Sequence, residues 1–273
     1  SGTQSYAFPR APVPQQPMIH VYPDPGQIGR IWHAALGIAC DPQSFLEAGL
    51  GAPAPSNTAP KRREWIGKLN AVAERCRNYV APVANDGVVF GAVVGEISRH
   101  LKRNAVVTCD AGRFSSFVFR QLSFAPEGWM LGAAQGCMGG SIPQAVAAGL
   151  RAPDRQVVAF NGDGGLLMSG AELATAVQYN VPVKIFIANN RSYGSIRAHQ
   201  EGAFPGREMG TELVNPDFVA MAQSFGAKGL RIGSDGEIAS VVGEAMAATG
   251  PVLVEVASSL AWMDASFDAP MSV

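Results

Sequence analysis

Asp163 and Asn190 are the residues in this sequence whose types and spacing most directly suggest chemistry. Asp163 stands between Gly162 and Gly164, Gly165 follows, and twenty-four residues (165–188) separate Gly162-Asp163-Gly164 from Asn189-Asn190. A carboxylate and an amide carbonyl are hard oxygen donors, suited to magnesium or calcium and poor for zinc or copper. The three glycines let backbone N–H groups approach an anion closely. Magnesium fills much of its shell with phosphate oxygens and water. Together these properties describe a magnesium–diphosphate clamp.

The surrounding elements are expected to bring the two residues together. Residues 157–160 form a short apolar, β-branched run, the pattern of a buried parallel strand, and the chain is expected to break at Asn161-Gly162. Ser169-Gly170-Ala171-Glu172 reads as a capping box, with Leu173, Ala176 and Val177 following at helical spacing. Residues 183–188 read as a second buried strand. A strand–helix–strand crossover puts both strands in one parallel sheet, with Asp163 and Asn190 just past their C-terminal ends. Open α/β sheets bind ligands at that edge.

Composition narrows the function classes. The chain has 273 residues and a net charge of −1, which gives no argument for nucleic acid or an anionic membrane surface. No apolar run approaches the ~18 residues of a membrane span. Cys40, Cys76, Cys109 and Cys137 are scattered, with no Cys-x-x-Cys. That pattern disfavours a zinc or iron–sulfur centre, fits a reducing cytoplasm, and reads as four buried or half-buried thiols.

Four segments are expected. Residues 1–17 are Pro-rich and extended. Residues 18–50 carry strands at 18–22 and 36–40, a short helix from Pro25 to about Trp32, and a closing helix over 42–50. Residues 51–64 are a linker by composition. Residues 65–273 form a doubly wound parallel α/β domain flanked by helices, with helical character already at 61–78 and regular alternation from Gly87 onward. Within this domain Asn215 is expected to cap a helix at Pro216, Gly226 to close it, and 234–237 to form a second capping box.

The Gly-Asp-Gly…Asn-Asn pattern resembles the thiamine diphosphate (ThDP) enzymes. The resemblance implies that Asp163, Asn190 and the Ser192 carbonyl hold Mg2+ beside the diphosphate. Gly136-Cys137-Met138-Gly139-Gly140-Ser141-Ile142-Pro143 resembles the family stretch that bends the cofactor. Met138 matches the apolar wedge between its rings, and the Gly136 carbonyl and Met138 N–H match the pyrimidine contacts. A flexible, polarizable Met suits such a wedge. Ser141 and Gln144 depart from the commoner Gly and Ala. Residues 109–115 match, more loosely, the loop that meets the diphosphate from the other side. Many relatives have Gln-His where this chain has Arg113-Phe114. Arg113 there is either a phosphate partner or a surface or subunit contact, and Ser115 is a weaker candidate. His199 is a candidate for the substrate side, with a structural role as the alternative.

Residues 18–50 resemble the end of the central domain of acetolactate synthase-like ThDP enzymes, so the chain reads as the C-terminal half of such a protein. The resemblance implies a lyase or transferase that decarboxylates or carboligates a small 2-oxo acid and works as a homo-oligomer. The family's catalytic Glu belongs to a pyrimidine-binding domain with no counterpart in this sequence. Glu172, Glu201 and Glu212 do not match it, so the chain alone is expected to be inactive. Two alternatives stay open: the diphosphate-binding subunit of a split decarboxylase, and a non-catalytic oligomerisation or regulatory module. A ferredoxin-linked oxidoreductase subunit is disfavoured by the lack of cluster cysteines.

Overall fold

A computed structural model of the chain describes residues 11–53, 60–132 and 136–264. The chain divides into two compact units between Lys68 and Leu69. In the first, strands β1 (Ile19–Tyr22) and β2 (Leu36–Ala39) pair in parallel, and helix α1 (Pro42–Gly51) follows. Asp41 starts α1: its side chain accepts the Gln43 N–H, and Pro42 sits in the first turn, where no N–H is needed. The helix expected from Pro25 is only a single turn, Pro25–Gln27, capped by Asp24, and Gly29 at φ +79° takes the chain out of helical space. Helix α2 (Pro60–Arg77) begins inside the stretch read as linker. Residues 1–10 and 54–59, parts of the Pro-rich segment and the linker, lie outside the described residues.

The second unit is built on a six-stranded parallel sheet. Its elements are α3 (Phe90–His100), β3 (Val106–Cys109), α4 (Ser115–Gln121), β4 (Trp129–Gly132), α5 (Ser141–Arg151), β5 (Val157–Gly162), α6 (Asp163–Ser169), α7 (Leu173–Gln178), β6 (Lys184–Asn189), α8 (Gly194–Ala203), α9 (Phe218–Ser224), β7 (Lys228–Ile232), α10 (Ile238–Ala247) and β8 (Val252–Ala257). The sheet order is β4-β3-β5-β6-β8-β7, parallel throughout. This is the doubly wound α/β fold expected from the alternating pattern. No described helix is long and apolar enough to cross a membrane.

Side-chain alternation explains why the central strands are apolar almost without interruption. Val158, Phe160, Phe186 and Val254 face one core, with α3, α4 and α10. Val157, Ala159, Ile185, Ile187 and Leu253 face the other, with α5, α7 and α9. Phe160 stacks on Phe186 at 6.1 Å and meets the edge of Phe90 at 6.3 Å. Each fully buried Phe contributes about 1.5–3 kcal/mol of transfer free energy.

Local expectations meet three corrections here. β5 does not break at Asn161 but runs through Gly162, and α6 starts at once with Asp163. Ser169 therefore ends a helix instead of opening one. No capping box forms there, its Oγ has no hydrogen-bond partner, and Glu172 accepts the Thr175 hydroxyl instead. The 234–237 capping box is present, and Gly226 at φ +86° closes α9 as expected. Among the cysteines, Cys137 is exposed, not buried, because it rides on the loop before α5.

Lys184 is a buried cation in β6. Its Nζ donates to the Ala248 and Gly250 carbonyls at 2.7 Å each, and burial, with repulsion from Lys228 second, lowers its pKa from 10.5 to about 8. The neutral amine keeps two N–H donors for those two carbonyls. Between pH 8 and 10.5 the folded chain thus binds fewer protons at this position than the unfolded one, so stability contributed there rises with pH. Denaturant unfolding of wild type and Lys184→Met at about pH 7.5 and 10 should show wild type gaining relative to the variant at the higher pH. A constant difference would contradict the assignment.

Candidate functional site

The sheet order places β3 and β5 side by side while the chain passes from β3 out to β4 and back, so the topological switch lies between β3 and β5. Ligands bind outside the carboxyl ends of strands at such a point. A cavity of about 240 Å³ opens there. Its lining comes mainly from residues at or beyond the carboxyl ends of β3 (Ala111 to Phe114), β4 (Gly136, Met138), β5 (Gly162 to Gly165), β6 (Ala188, Asn190, Ser192 to Ile196) and β8 (Ser258, Ser259, Met263), with Phe90 of α3.

Most of the sequence candidates meet in this cavity: Arg113, Gly136, Met138, Gly162, Asp163, Gly164, Gly165, Asn190 and Ser192 all line it. Ser115 and His199 do not. The Ser115 hydroxyl donates to the Gly112 carbonyl at 2.6 Å, stitching the start of α4. His199 lies exposed on α8. Arg113 reaches the lining, but its guanidinium pairs with Asp264, and its N–H donates to Ser195 Oγ at 3.0 Å. Phe114 is buried edge-on against Phe90, with ring centroids 5.8 Å apart.

Asp163 is 3% exposed. Burial pushes its carboxyl above the ordinary range, against the pull of the Asn215 amide and of the Gly164, Arg191 and Ser192 N–H groups. Gly164 N–H donates to Oδ1 at 2.9 Å and Asn215 Nδ2 to Oδ2 at 2.9 Å. Opposite it, the chain leaves β6 through two consecutive Asx turns. Asn189 Oδ1 accepts the Arg191 N–H at 3.2 Å, and Asn190 Oδ1 accepts the Ser192 N–H at 3.1 Å. Arg191 is held at φ +56° between them. The Ser192 hydroxyl donates to the Thr211 carbonyl at 3.0 Å, fixing the backbone that carries the Ser192 carbonyl.

The glycines are required by what lies against them. A Cβ on Gly164 would sit 2.6 Å from the Tyr193 ring and 3.2 Å from Met138 Cε; one on Gly165 would sit 2.1 Å from Asp110 Oδ2 and 2.3 Å from Asn161 Oδ1. Tyr193 is thus a packing residue of the lining.

Sequence reasoning missed Asp110 and Asn215. Asp110, 2% exposed at the end of β3, accepts the Gly139 and Gly140 N–H groups at 2.8 and 3.1 Å, fastening the loop that carries Met138. The only sequence signal was its place beside the loosely matched 109–115 segment. The Ser141 hydroxyl extends this fastening to the Phe160 carbonyl of β5 at 3.0 Å, which accounts for a serine at that position. Asn215 was read as a helix cap. The cap is Asp217, whose carboxylate accepts the Val219 and Ala220 N–H groups, leaving Asn215 free to turn toward Asp163.

The donor set suits a hard cation. Among the described residues no group of three or more His, Cys, Asp or Glu is placed to hold a metal ion. Asp163 instead offers one buried carboxylate, next to amide and backbone carbonyl oxygens that each retain a lone pair. A buried carboxylate without a cation is costly, and Arg113 on the lining is engaged with Asp264.

Known proteins resemble this chain over most of its length. Residues 110–256 match the family described as thiamine pyrophosphate enzyme, C-terminal TPP binding domain. The acetolactate synthase large subunit of Parasynechococcus marenigrum (strain WH8102) is 30% identical over 245 residues, covering 89% of this chain and 39% of the relative. The acetolactate synthase isozyme 3 large subunit of Escherichia coli (strain K12) is 28% identical over 239 residues, covering 85% and 41%. The structure of a thiamine diphosphate-dependent 4-hydroxybenzoylformate decarboxylase from Rhodococcus jostii RHA1 superimposes with a TM-score of 0.70 at 25% identity, covering 89% of this chain and 44% of that one. The chain thus spans less than half the length of these relatives. With the family match covering more than half of its residues, the chain belongs to the thiamine diphosphate enzymes and carries their C-terminal cofactor-binding domain.

Proposed function

We propose that this chain holds the diphosphate end of ThDP through Mg2+ and serves an enzyme that decarboxylates or carboligates a 2-oxo acid. The observation that carries the reading is the shared cavity: Asp163, Asn190 and Ser192 line the same space as Met138 and the 162–165 glycines. In this reading Asp163, Asn190 and the Ser192 carbonyl are the metal's protein ligands. The glycines leave room for phosphate oxygens. Met138 supports the bend of the cofactor, and Asp110 holds its loop in place. The bound cofactor would supply a carbanion-stabilising centre for the keto carbon, and the protein orientation and electrostatics. The names of the relatives, an acetolactate synthase and a 4-hydroxybenzoylformate decarboxylase, support the substrate class. Arg113 belongs to the Asp264 pair in this reading, and His199 stands outside the site.

The enzyme is proposed to work in the cytoplasm as a homo-oligomer. Trp65 and Leu69 on α2, and Phe204 and Met209 after α8, expose apolar surface of the kind that partner subunits cover. Light scattering of the intact protein should give a dimer or larger; a monomer at high concentration would contradict this.

Two substitutions separate the roles. Asp163→Ala removes the charged ligand, so Mg2+-dependent ThDP binding, measured by calorimetry, should weaken by more than the ~100-fold typical of losing a ligand's supporting partner. Unchanged binding would remove the basis for the metal site. Met138→Ala leaves the metal ligands intact and loosens geometry. In the full-length enzyme that this chain serves, CO2 release from 2-oxo acids should slow by about 10–100-fold with ThDP affinity nearly kept. A loss confined to affinity would contradict the wedge.

A further inference from the structure

Behind the cavity, four side chains from three strands and a loop form one continuous hydrogen-bonded line that ends on Asp163. Arg231 on β7 lies directly opposite Glu255 on β8 in the strand register. Its Nε and Nη2 donate to Glu255 Oε2 at 3.1 and 2.9 Å. Glu255 Oε1 accepts Asn189 Nδ2 at 2.7 Å. Asn189 Oδ1 accepts Asn215 Nδ2 at 2.8 Å, and the same Asn215 nitrogen donates to Asp163 Oδ2 at 2.9 Å. Glu255 and Asn189 are each 7% exposed, and neither they nor Asn215 line the cavity.

The direction of every bond in this line follows from its outer end. A guanidinium only donates, so Glu255 must accept. An ionised Glu255 can only accept from Asn189, which commits the Asn189 amide nitrogen to it and turns Oδ1 toward the Arg191 N–H and Asn215. Both hydrogens of Asn215 Nδ2 are then used, one on Asn189 and one on Asp163. The Asn215 Oδ1 is left buried without a partner. If Asn189 were reversed, its NH2 would face two other donors. Buried donor–donor contacts are costly where the local dielectric is low.

We propose that Glu255, Asn189 and Asn215 are positioning residues: a chain of fixed polarity, oriented by Arg231, that presents Asp163 to the metal as an acceptor carboxylate. This rests on the Mg2+–diphosphate reading above. Arg231 is half-exposed at the sheet edge, so its ion pair with the buried Glu255 would by itself contribute little. Here the pair fixes the orientation of two buried amides and, through them, a carboxylate three strands away.

The test is a polarity exchange in the intact protein, read as the Mg2+ concentration needed for half-maximal ThDP binding in calorimetry. Metal-free thermal unfolding serves as the folding control. Glu255→Gln replaces two acceptors by one: whichever way the new amide turns, its NH2 faces a donor, Arg231 or Asn189, and the Mg2+ requirement should rise about 10-fold or more. Asn189→Asp sets two carboxylates face to face and should do the same. In the double variant the new amide donates to the new carboxylate, whose other oxygen still accepts from Arg191 and Asn215, so the requirement should return close to the wild-type value. A merely structural role would make the double variant no better than the singles, and that result overturns the proposal. A wild type that needs Mg2+, with both single variants unchanged, overturns it too while leaving the metal reading intact. A wild type that binds ThDP without any need for Mg2+ overturns the metal reading, and this one with it. If Glu255→Gln does not fold, Asn215→Ala cuts only the last link; there an unchanged Mg2+ requirement overturns the proposal and a raised one supports it.

Discussion

A carboxylate buried at the end of a central strand is the constraint around which this site is arranged. Asp163 follows β5 with no intervening loop, opens α6, and is 3% exposed. An ionised carboxylate in such a place needs donors or a cation on every side. The neighbours supply donors: the Gly164 N–H, the Asn215 amide, and the turn that Asn189 and Asn190 fold after β6. The rest of its coordination is what a hard cation with phosphate ligands would complete.

Close packing carries the second requirement, which is to bring separate loops into one small space. Gly164 and Gly165 admit Met138, Tyr193, Asp110 and Asn161 at distances that any side chain would block. Asp110 ties the end of β3 to the 136–140 loop, and Ser141 ties that loop to β5. Apolar packing on both sheet faces keeps those strand ends in register, so side chains from five strand-end segments converge without a dedicated scaffold.

The fold and the Asp163/Asn190 pairing were legible because both rest on local patterns. Apolar runs marked the buried strands, and a fixed spacing put two oxygen-bearing side chains at neighbouring strand ends. Residues whose role depends on a long-range partner were not legible. Asn215 looked like a cap because Asn-Pro-Asp offers two capping side chains, and only the fold shows that Asp217 takes the cap. No local pattern singles out Glu255, whose role depends on Arg231 and Asn189 lying on either side of it. The Ser169 box failed because the sequence could not show that a helix had already begun at Asp163. Arg113 and Ser115 shared a matched segment, yet one turned to Asp264 and the other to its own backbone.

The central claim is that Asp163, Asn190 and the Ser192 carbonyl share one divalent cation. Crystals of the protein grown with ThDP and Mn2+ in place of Mg2+, with data collected for anomalous scattering, test it most directly. The account predicts a single strong anomalous peak in the cavity, about 2.1 Å from an Asp163 carboxylate oxygen, Asn190 Oδ1 and the Ser192 carbonyl oxygen. A peak that leaves out Asp163, or diphosphate density in the cavity with no metal beside it, would contradict the account.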